Sequence, residues 1–287
     1  MENYLHVEGG KIWYQVIGSH KKGVPLVIIH GGPGYPSYYL ENLKKLATDR
    51  PVIFYDQLGC GRSGNPQKES LWTVNRYIKE LHQLVAHLHF QKLNILGHSW
   101  GGYLAAAYVL KYPSKVNALI LASPFLSTRQ WMRTMNRYLK QLPHSWGKVI
   151  RESEQLGHTN TTLYKTAKNY FSTHHEYRAK INPVFKRLAD KNFNPKLYRY
   201  MWGNNEYTIT GTLKNADLTS KLQCIKVPTL ITCGRHEAAD PVSMKNSSKK
   251  ITRCKVTEFI NSAHMSHIEE EKKYIKIVKE FFKEHEA

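Results

Sequence analysis

The feature that most constrains this chain is a short apolar run, residues 93–96, that passes straight into Gly97-His98-Ser99-Trp100-Gly101-Gly102. A helical stretch follows over 103–112, with small side chains at Ala105, Ala106 and Ala107. A serine held where a strand turns sharply into a helix has a strained backbone, so its neighbours must be small. Such a turn lifts the hydroxyl above the carboxyl edge of a sheet, and the N-terminus of the helix points its unpaired N–H groups at whatever the hydroxyl attacks. The pattern predicts a parallel sheet carrying Ser99 at its edge as a nucleophile.

The rest of the chain has the rhythm such a sheet requires. Residues 4–7 and 11–17 alternate around Glu8-Gly9-Gly10, which predicts an antiparallel hairpin. Short apolar runs at 25–29, 52–55, 93–96, 118–122, 229–233 and 256–259 then read as buried strands. Over 72–90, Val74, Tyr77, Ile78, Leu81, Leu84 and Leu88 recur at spacings of three and four, as in a crossover helix with one apolar stripe. Tyr274, Ile277, Val278 and Phe281 repeat that pattern after the acidic Glu269-Glu270-Glu271, which suits a helix N-terminus. The expected class is α/β, a mostly parallel sheet with helices on both faces.

The rhythm fails between residues 126 and 211, where Trp131, Tyr138, Trp146, Tyr170 and Trp202 are scattered among basic and polar residues without a strand-like run. No Gly/Ser linker flanks this stretch, so it reads as a helical cap inserted in a core of residues 1–125 and 212–287 rather than as an independent domain.

Composition narrows the function classes. The four cysteines form no CxxC pair, which argues against a disulfide framework or a zinc ribbon and for reduced thiols in the cytoplasm. No run reaches 18 apolar residues and the first ten residues lack a leader pattern, so a soluble, unexported chain is expected, without a membrane partner. The net charge of +20 comes from 30 Lys and 12 Arg spread along the whole chain. Recognition of phosphates or bases favours clustered arginine, so no nucleic acid partner is expected.

A serine hydroxyl needs a neighbouring base, itself oriented by a carboxylate, and in a sheet of this kind the chain order is serine, acid, histidine. His264 and His267 follow the last predicted strand, and Glu237 and Asp240 follow the one before it. Both pairs fall at strand carboxyl ends, where open α/β sheets place their sites. His30-Gly31-Gly32-Pro33-Gly34 ends another strand and can turn a backbone N–H toward the serine, with the N–H of Trp100 as second oxyanion donor. Gly59-Cys60-Gly61-Arg62-Ser63-Gly64 matches a dinucleotide fingerprint literally, but Pro66 and a polar stretch separate it from the next helix. Among the 15 histidines, the tight clusters at His87-Leu88-His89 and His174-His175 lack metal-ligand spacing, and His82, His87 and His89 read as a solvated helix face. No metal or organic cofactor is expected.

Together, His30-Gly31-Gly32-Pro33-Gly34, Asp56-Gln57-Leu58-Gly59-Cys60-Gly61-Arg62-Ser63, the Ser99 turn and His264-Met265-Ser266-His267-Ile268-Glu269 resemble, across nearly the whole chain, the prolyl aminopeptidases (proline iminopeptidases) and the related tricorn-interacting aminopeptidases, which are α/β-hydrolases. The resemblance implies release of an N-terminal residue, often proline, from short peptides by acyl transfer without metal or cofactor. It implies Ser99 as nucleophile, His264 as base, Gly32 and Trp100 as oxyanion donors, and Glu206, within Trp202-Gly203-Asn204-Asn205-Glu206, as the anchor of the substrate amine. The chain departs from the family at the acid: where the family has Asp then Glu, it has Glu237 then Ala238. Glu237 occupies the acid position, while Asp240 precedes Pro241 and reads as a helix cap. The substitution also removes a second glutamate that in the family helps bind the ammonium, leaving Glu206 as the obvious anchor. The same triad serves esterases, lactonases and amidases on small acyl substrates, and the altered acid loop also suits a non-catalytic ligand-binding relative.

Overall fold

The computed structural model describes residues 2–66, 68–180 and 182–286. Among the described residues one sheet of eight strands runs in the order β1-β2-β4-β3-β5-β6-β7-β8. The strands are β1 (Glu2–Val7), β2 (Gly10–Ile17), β3 (Leu26–Ile29), β4 (Val52–Tyr55), β5 (Leu93–His98), β6 (Val116–Ala122), β7 (Thr229–Gly234) and β8 (Cys254–Phe259). The β1–β2 hairpin and the β2–β4 pair are antiparallel, and every pairing from β4 to β8 is parallel.

The alternation of side chains along a strand explains why the central strands are apolar throughout. Val27 and Ile29 of β3 pack on one face with Leu81 and Leu84 of α1 (Val74–His87) and Leu104 and Tyr108 of α2 (Trp100–Lys111). Leu26 and Ile28 face the other way, toward Leu40, Leu43 and the C-terminal helix, where Tyr274, Val278 and Phe282 close the second core. Each such side chain, taken fully out of water, contributes about 1.5–3 kcal/mol.

Among the described residues, five α-helices lie between β6 and β7: α3 (Thr128–Gln141), α4 (Trp146–Leu156), α5 (Thr162–His175), α6 (Pro183–Lys191) and α7 (Pro195–Met201). They are tied to the sheet's loops by side chains. Asn194 caps α7 with its Oδ1 and donates its Nδ2 to Gly59 O at 2.8 Å, while its backbone N–H reaches Gly34 O at 3.0 Å. His175 Nδ1 donates to His236 O at 2.9 Å. After β7 come α8 (Pro241–Ser248), then α9 (Ser266–Glu269) and α10 (Glu271–Lys283). No helix among the described residues is long and apolar enough to cross a membrane, and all four cysteines are free.

Several element boundaries differ from the sequence reading, and three of them show the physical reason. β5 continues through Gly97 and His98, because its ladder with β6 runs to the His98–Ala122 pair although these residues lack an apolar pattern. β8 begins at Cys254 and Lys255, since a half-exposed edge strand need not be apolar. The first crossover helix stops at His87, and His89 lies beyond it with φ 55°, so it is not part of a helix face. His82 and His87 remain on α1, where His82 stacks on Tyr112 and His87 Nε2 meets the Tyr14 hydroxyl at 3.0 Å.

Candidate active site

Ser99 sits between β5 and α2 with φ 57° and ψ −120°, a conformation costing on the order of 1–3 kcal/mol that the surroundings must impose. They do so through the backbone. Ser99 N–H donates to Ala122 O at 2.9 Å, and Ser99 O accepts from Gly102 N and Phe125 N. Close packing demands the flanking glycines: a Cβ on Gly97 would stand 2.1 Å from Gly101 O, and one on Gly101 would stand 2.3 Å from Ile29 O.

The loop after β3 is held against this turn by a buried network. Gln57 N–H donates to His30 Nε2 at 2.9 Å, so His30 carries its proton on Nδ1, which donates to Gly31 O at 2.9 Å. Burial, only partly offset by Asp56, keeps the His30 pKa below the ordinary histidine value, in accord with a neutral ring. The Gln57 amide also donates to His30 O and accepts from Trp100 Nε1 at 2.9 Å, linking the loop to the first residue of α2. Gly32, with φ 109°, occupies backbone space that side chains avoid. The glycine run of the literal dinucleotide match forms a tight turn: the buried Asp56 accepts from Arg62 Nε at 2.7 Å and from the Ser37 hydroxyl at 2.7 Å, and the Arg62 guanidinium lies 3.2 Å from the Trp13 ring centroid.

At the ends of β7 and β8 a carboxylate meets an imidazole. Glu237, wholly buried, accepts at Oε2 from His264 Nδ1 at 2.6 Å. Its Oε1 folds back to accept from Gly234 N–H at 2.6 Å and from the Ser123 hydroxyl at 2.7 Å. With Oε1 returned onto its own strand end, Glu237 still presents Oε2 to the imidazole. Asp240 does something else: its Oδ1 accepts from Ser243 N–H at the start of α8, and its Oδ2 from the Thr134 hydroxyl at 2.8 Å. His267 is buried behind the site, with Nε2 3.4 Å from Tyr39 O, and desolvation pushes its pKa down to about 3. Burial also works against the charged form of His264. The charge and hydrogen bond of Glu237, aided by Glu206 and Glu176, outweigh burial and raise the His264 pKa above the ordinary value.

Gly31, Gly32, Ser99 and His264 line one cavity of about 1090 Å³, roofed by the helices between β6 and β7. Glu206 lines it too and accepts from the Tyr198 hydroxyl. Ala238 lies in the same wall where a longer acid would project. Two charged groups in the cavity carry no sequence signal. Glu176, just past α5, binds Lys168 Nζ at 2.7 Å, and that ammonium also reaches the Tyr207 hydroxyl at 2.9 Å. Lys168 holds the Glu176 carboxyl below its usual range despite burial. Burial, then the nearby Glu176 charge, raise that of Glu206. Ser123 had a positional signal, since it directly follows a strand at the sheet's carboxyl edge. Among the described residues no cluster of side chains suits a metal ion.

A serine at a strained strand-to-helix turn over a mostly parallel sheet, with an acid and a histidine after its last two strands, is the plan of the α/β-hydrolases, and residues 24–271 match the family model for the alpha/beta hydrolase fold. The chain is a hydrolase. It is 39% identical over 281 residues to the proline iminopeptidase of Heyndrickxia coagulans, covering 98% of both chains, and 36% identical to that of Saccharolobus solfataricus, covering 98% of this chain and 91% of the other. Its fold matches the crystal structure of the proline iminopeptidase of Mycobacterium smegmatis with a TM-score of 0.93 at 27% identity, over 100% of this chain and 99% of that one. The chain belongs to the proline iminopeptidase family.

Proposed function

We propose that this chain is a serine aminopeptidase that releases an N-terminal residue, proline among those accepted, from short peptides or aminoacyl amides through an acyl-enzyme. The free α-ammonium of the substrate pairs with Glu206, and Glu176 adds negative potential beside it. His264 takes the proton of Ser99 Oγ as the hydroxyl attacks the scissile carbonyl, and Glu237 stabilises the imidazolium that forms. The N–H groups of Gly32 and Trp100 donate to the developing oxyanion, each such donor typically supplying about 2.7–4 kcal/mol. His264 then protonates the leaving amine, and water repeats the sequence on the ester to free the N-terminal residue. The helices from Thr128 to Met201 act as a lid that admits a chain end and excludes longer polypeptides.

The acids in the cavity wall favour an aminopeptidase over an esterase. Glu176 already has its cation in Lys168, whereas Glu206 is held by a neutral hydroxyl, so an incoming ammonium is the group that completes it. Comparing prolyl and alanyl nitroanilides with their N-acetylated counterparts tests the proposal. We expect kcat/KM to fall at least about 100-fold when the amine is capped, the loss of a charge-assisted pair. Equal turnover of both forms would contradict an amine-anchored site.

A further inference from the structure

Behind Ser99 an unbroken hydrogen-bond chain joins the oxyanion loop to the loop of the catalytic histidine. Gly31 N–H donates to the Tyr39 hydroxyl oxygen at 2.7 Å. That oxygen lies 2.9 Å from His98 Nδ1, and His98 Nε2 lies 2.9 Å from the backbone carbonyl of His264. The chemistry at its two ends fixes every proton in it. A carbonyl accepts only, so His98 carries its hydrogen on Nε2. A backbone N–H donates only, so the Tyr39 oxygen accepts from Gly31 and turns its own hydrogen to the lone pair of His98 Nδ1.

The arrangement requires a neutral His98, and its surroundings keep it so. The ring is buried, with His264 and His267 at centroid distances of 4.7 and 5.0 Å and the Tyr39 ring at 5.4 Å. Burial first, then the neighbouring histidines, hold its pKa well below the ordinary value. Nor can the chain be bypassed by a change at its first link: a Cβ on Gly31 would stand 2.9 Å from the Tyr39 hydroxyl and 3.0 Å from Ser99 Cβ.

We propose that His98 is a positioning residue which, through Tyr39, fixes the separation between the Gly31-Gly32 backbone and His264, so that oxyanion donor and base stay in register throughout acylation and deacylation. The inference rests on the acyl-transfer assignment of Ser99, Gly32 and His264. It places the residue before the nucleophile, at the wall of the same cavity, in the machinery that sets kcat, acting through Tyr39 and the His264 backbone. A misplacement of about 1 Å in such a constellation costs on the order of 100-fold in rate.

Tyr39→Phe keeps the ring and His98→Phe puts another aromatic ring in place of the imidazole, and each removes the chain. Each is expected to lower kcat on an activated ester at least about tenfold while KM moves less than about twofold, and to slow fluorophosphonate labelling of Ser99 in parallel. Because both act through one chain, the double variant should be no worse than the weaker single one. Nitrogen NMR of the histidine-labelled wild-type protein should show His98 as a neutral Nε2–H ring around neutral pH, a readout independent of how the variants fold. A loss confined to KM, losses that multiply in the double variant, unchanged labelling, or a His98 proton on Nδ1 would each overturn the proposal. A wild-type protein that does not label at all would instead refute the serine-hydrolase assignment on which it rests.

Discussion

Glu237 Oε2 lies 2.6 Å from His264 Nδ1, while three residues on, Asp240 binds the first turn of α8 and the Thr134 hydroxyl. Two carboxylates in one loop thus have different work. Glu237→Gln should lower kcat by orders of magnitude, about 10⁴ where a triad acid has been replaced by its amide, with little change in melting temperature. Asp240→Asn should keep kcat within a few-fold and lose on the order of 0.5–2 kcal/mol of stability as a weakened cap. Steady-state kinetics and thermal melts of the two variants check this, and the reverse pattern would move the acid to Asp240.

The two histidines after β8 separate in the same way. His264 lines the cavity and is bound to the acid, whereas His267 is sealed behind Tyr39 and Tyr274. His264→Ala should abolish turnover in a folded protein. His267→Ala should retain most of kcat at a cost of about 1–3 kcal/mol in stability, measurable by denaturant titration.

The pH dependence follows from the raised pKa of His264. As a general base it must be neutral, so kcat/KM is lost as pH falls through its pKa, and the acid limb should have its midpoint above 6.5, the ordinary value. Glu237, then Glu206 and Glu176, supply the charge that raises it. Glu206→Gln removes one of these, so the limb should shift toward lower pH, most clearly with a neutral ester. A midpoint at or below 6.5, or a limb that moves to higher pH in the variant, contradicts the electrostatics of the site.

The same substitution separates substrate classes. Glu206→Gln should raise KM for substrates with a free α-amine by about tenfold or more, and leave neutral esters within about twofold. Equal effects on both would make Glu206 a structural partner of Tyr198 and no anchor.

How much of this was legible in the sequence depended on whether a residue's role is local. The strained turn at Ser99 is written in adjacent residues, because the glycines that permit it flank it. The strand cores were equally plain, being apolar on both faces. The chemistry of Glu237 was visible as a position but not as a geometry: its Oε1 meets both Gly234 N–H nearby and the Ser123 hydroxyl, 114 residues away. Lys168 on α5 and Glu176 just past it look like any exposed charges until the roof brings them over the cavity with Glu206. The meaning of His98 was hidden more deeply. Its partners come from the loops after β3 and β8, and a histidine beside a serine carries no sign of which ring nitrogen holds the proton.

The central claim, that Ser99 is the nucleophile of an acyl-transfer site, is tested most directly by intact-mass analysis after reaction with a fluorophosphonate. One adduct per chain is expected, located by peptide mapping to Ser99 in Gly97-His98-Ser99-Trp100-Gly101, rising in step with the loss of hydrolysis and absent from a folded Ser99→Ala variant that no longer turns over prolyl nitroanilide. An adduct elsewhere, or a Ser99→Ala protein that still labels and hydrolyses at the wild-type rate, would contradict the account.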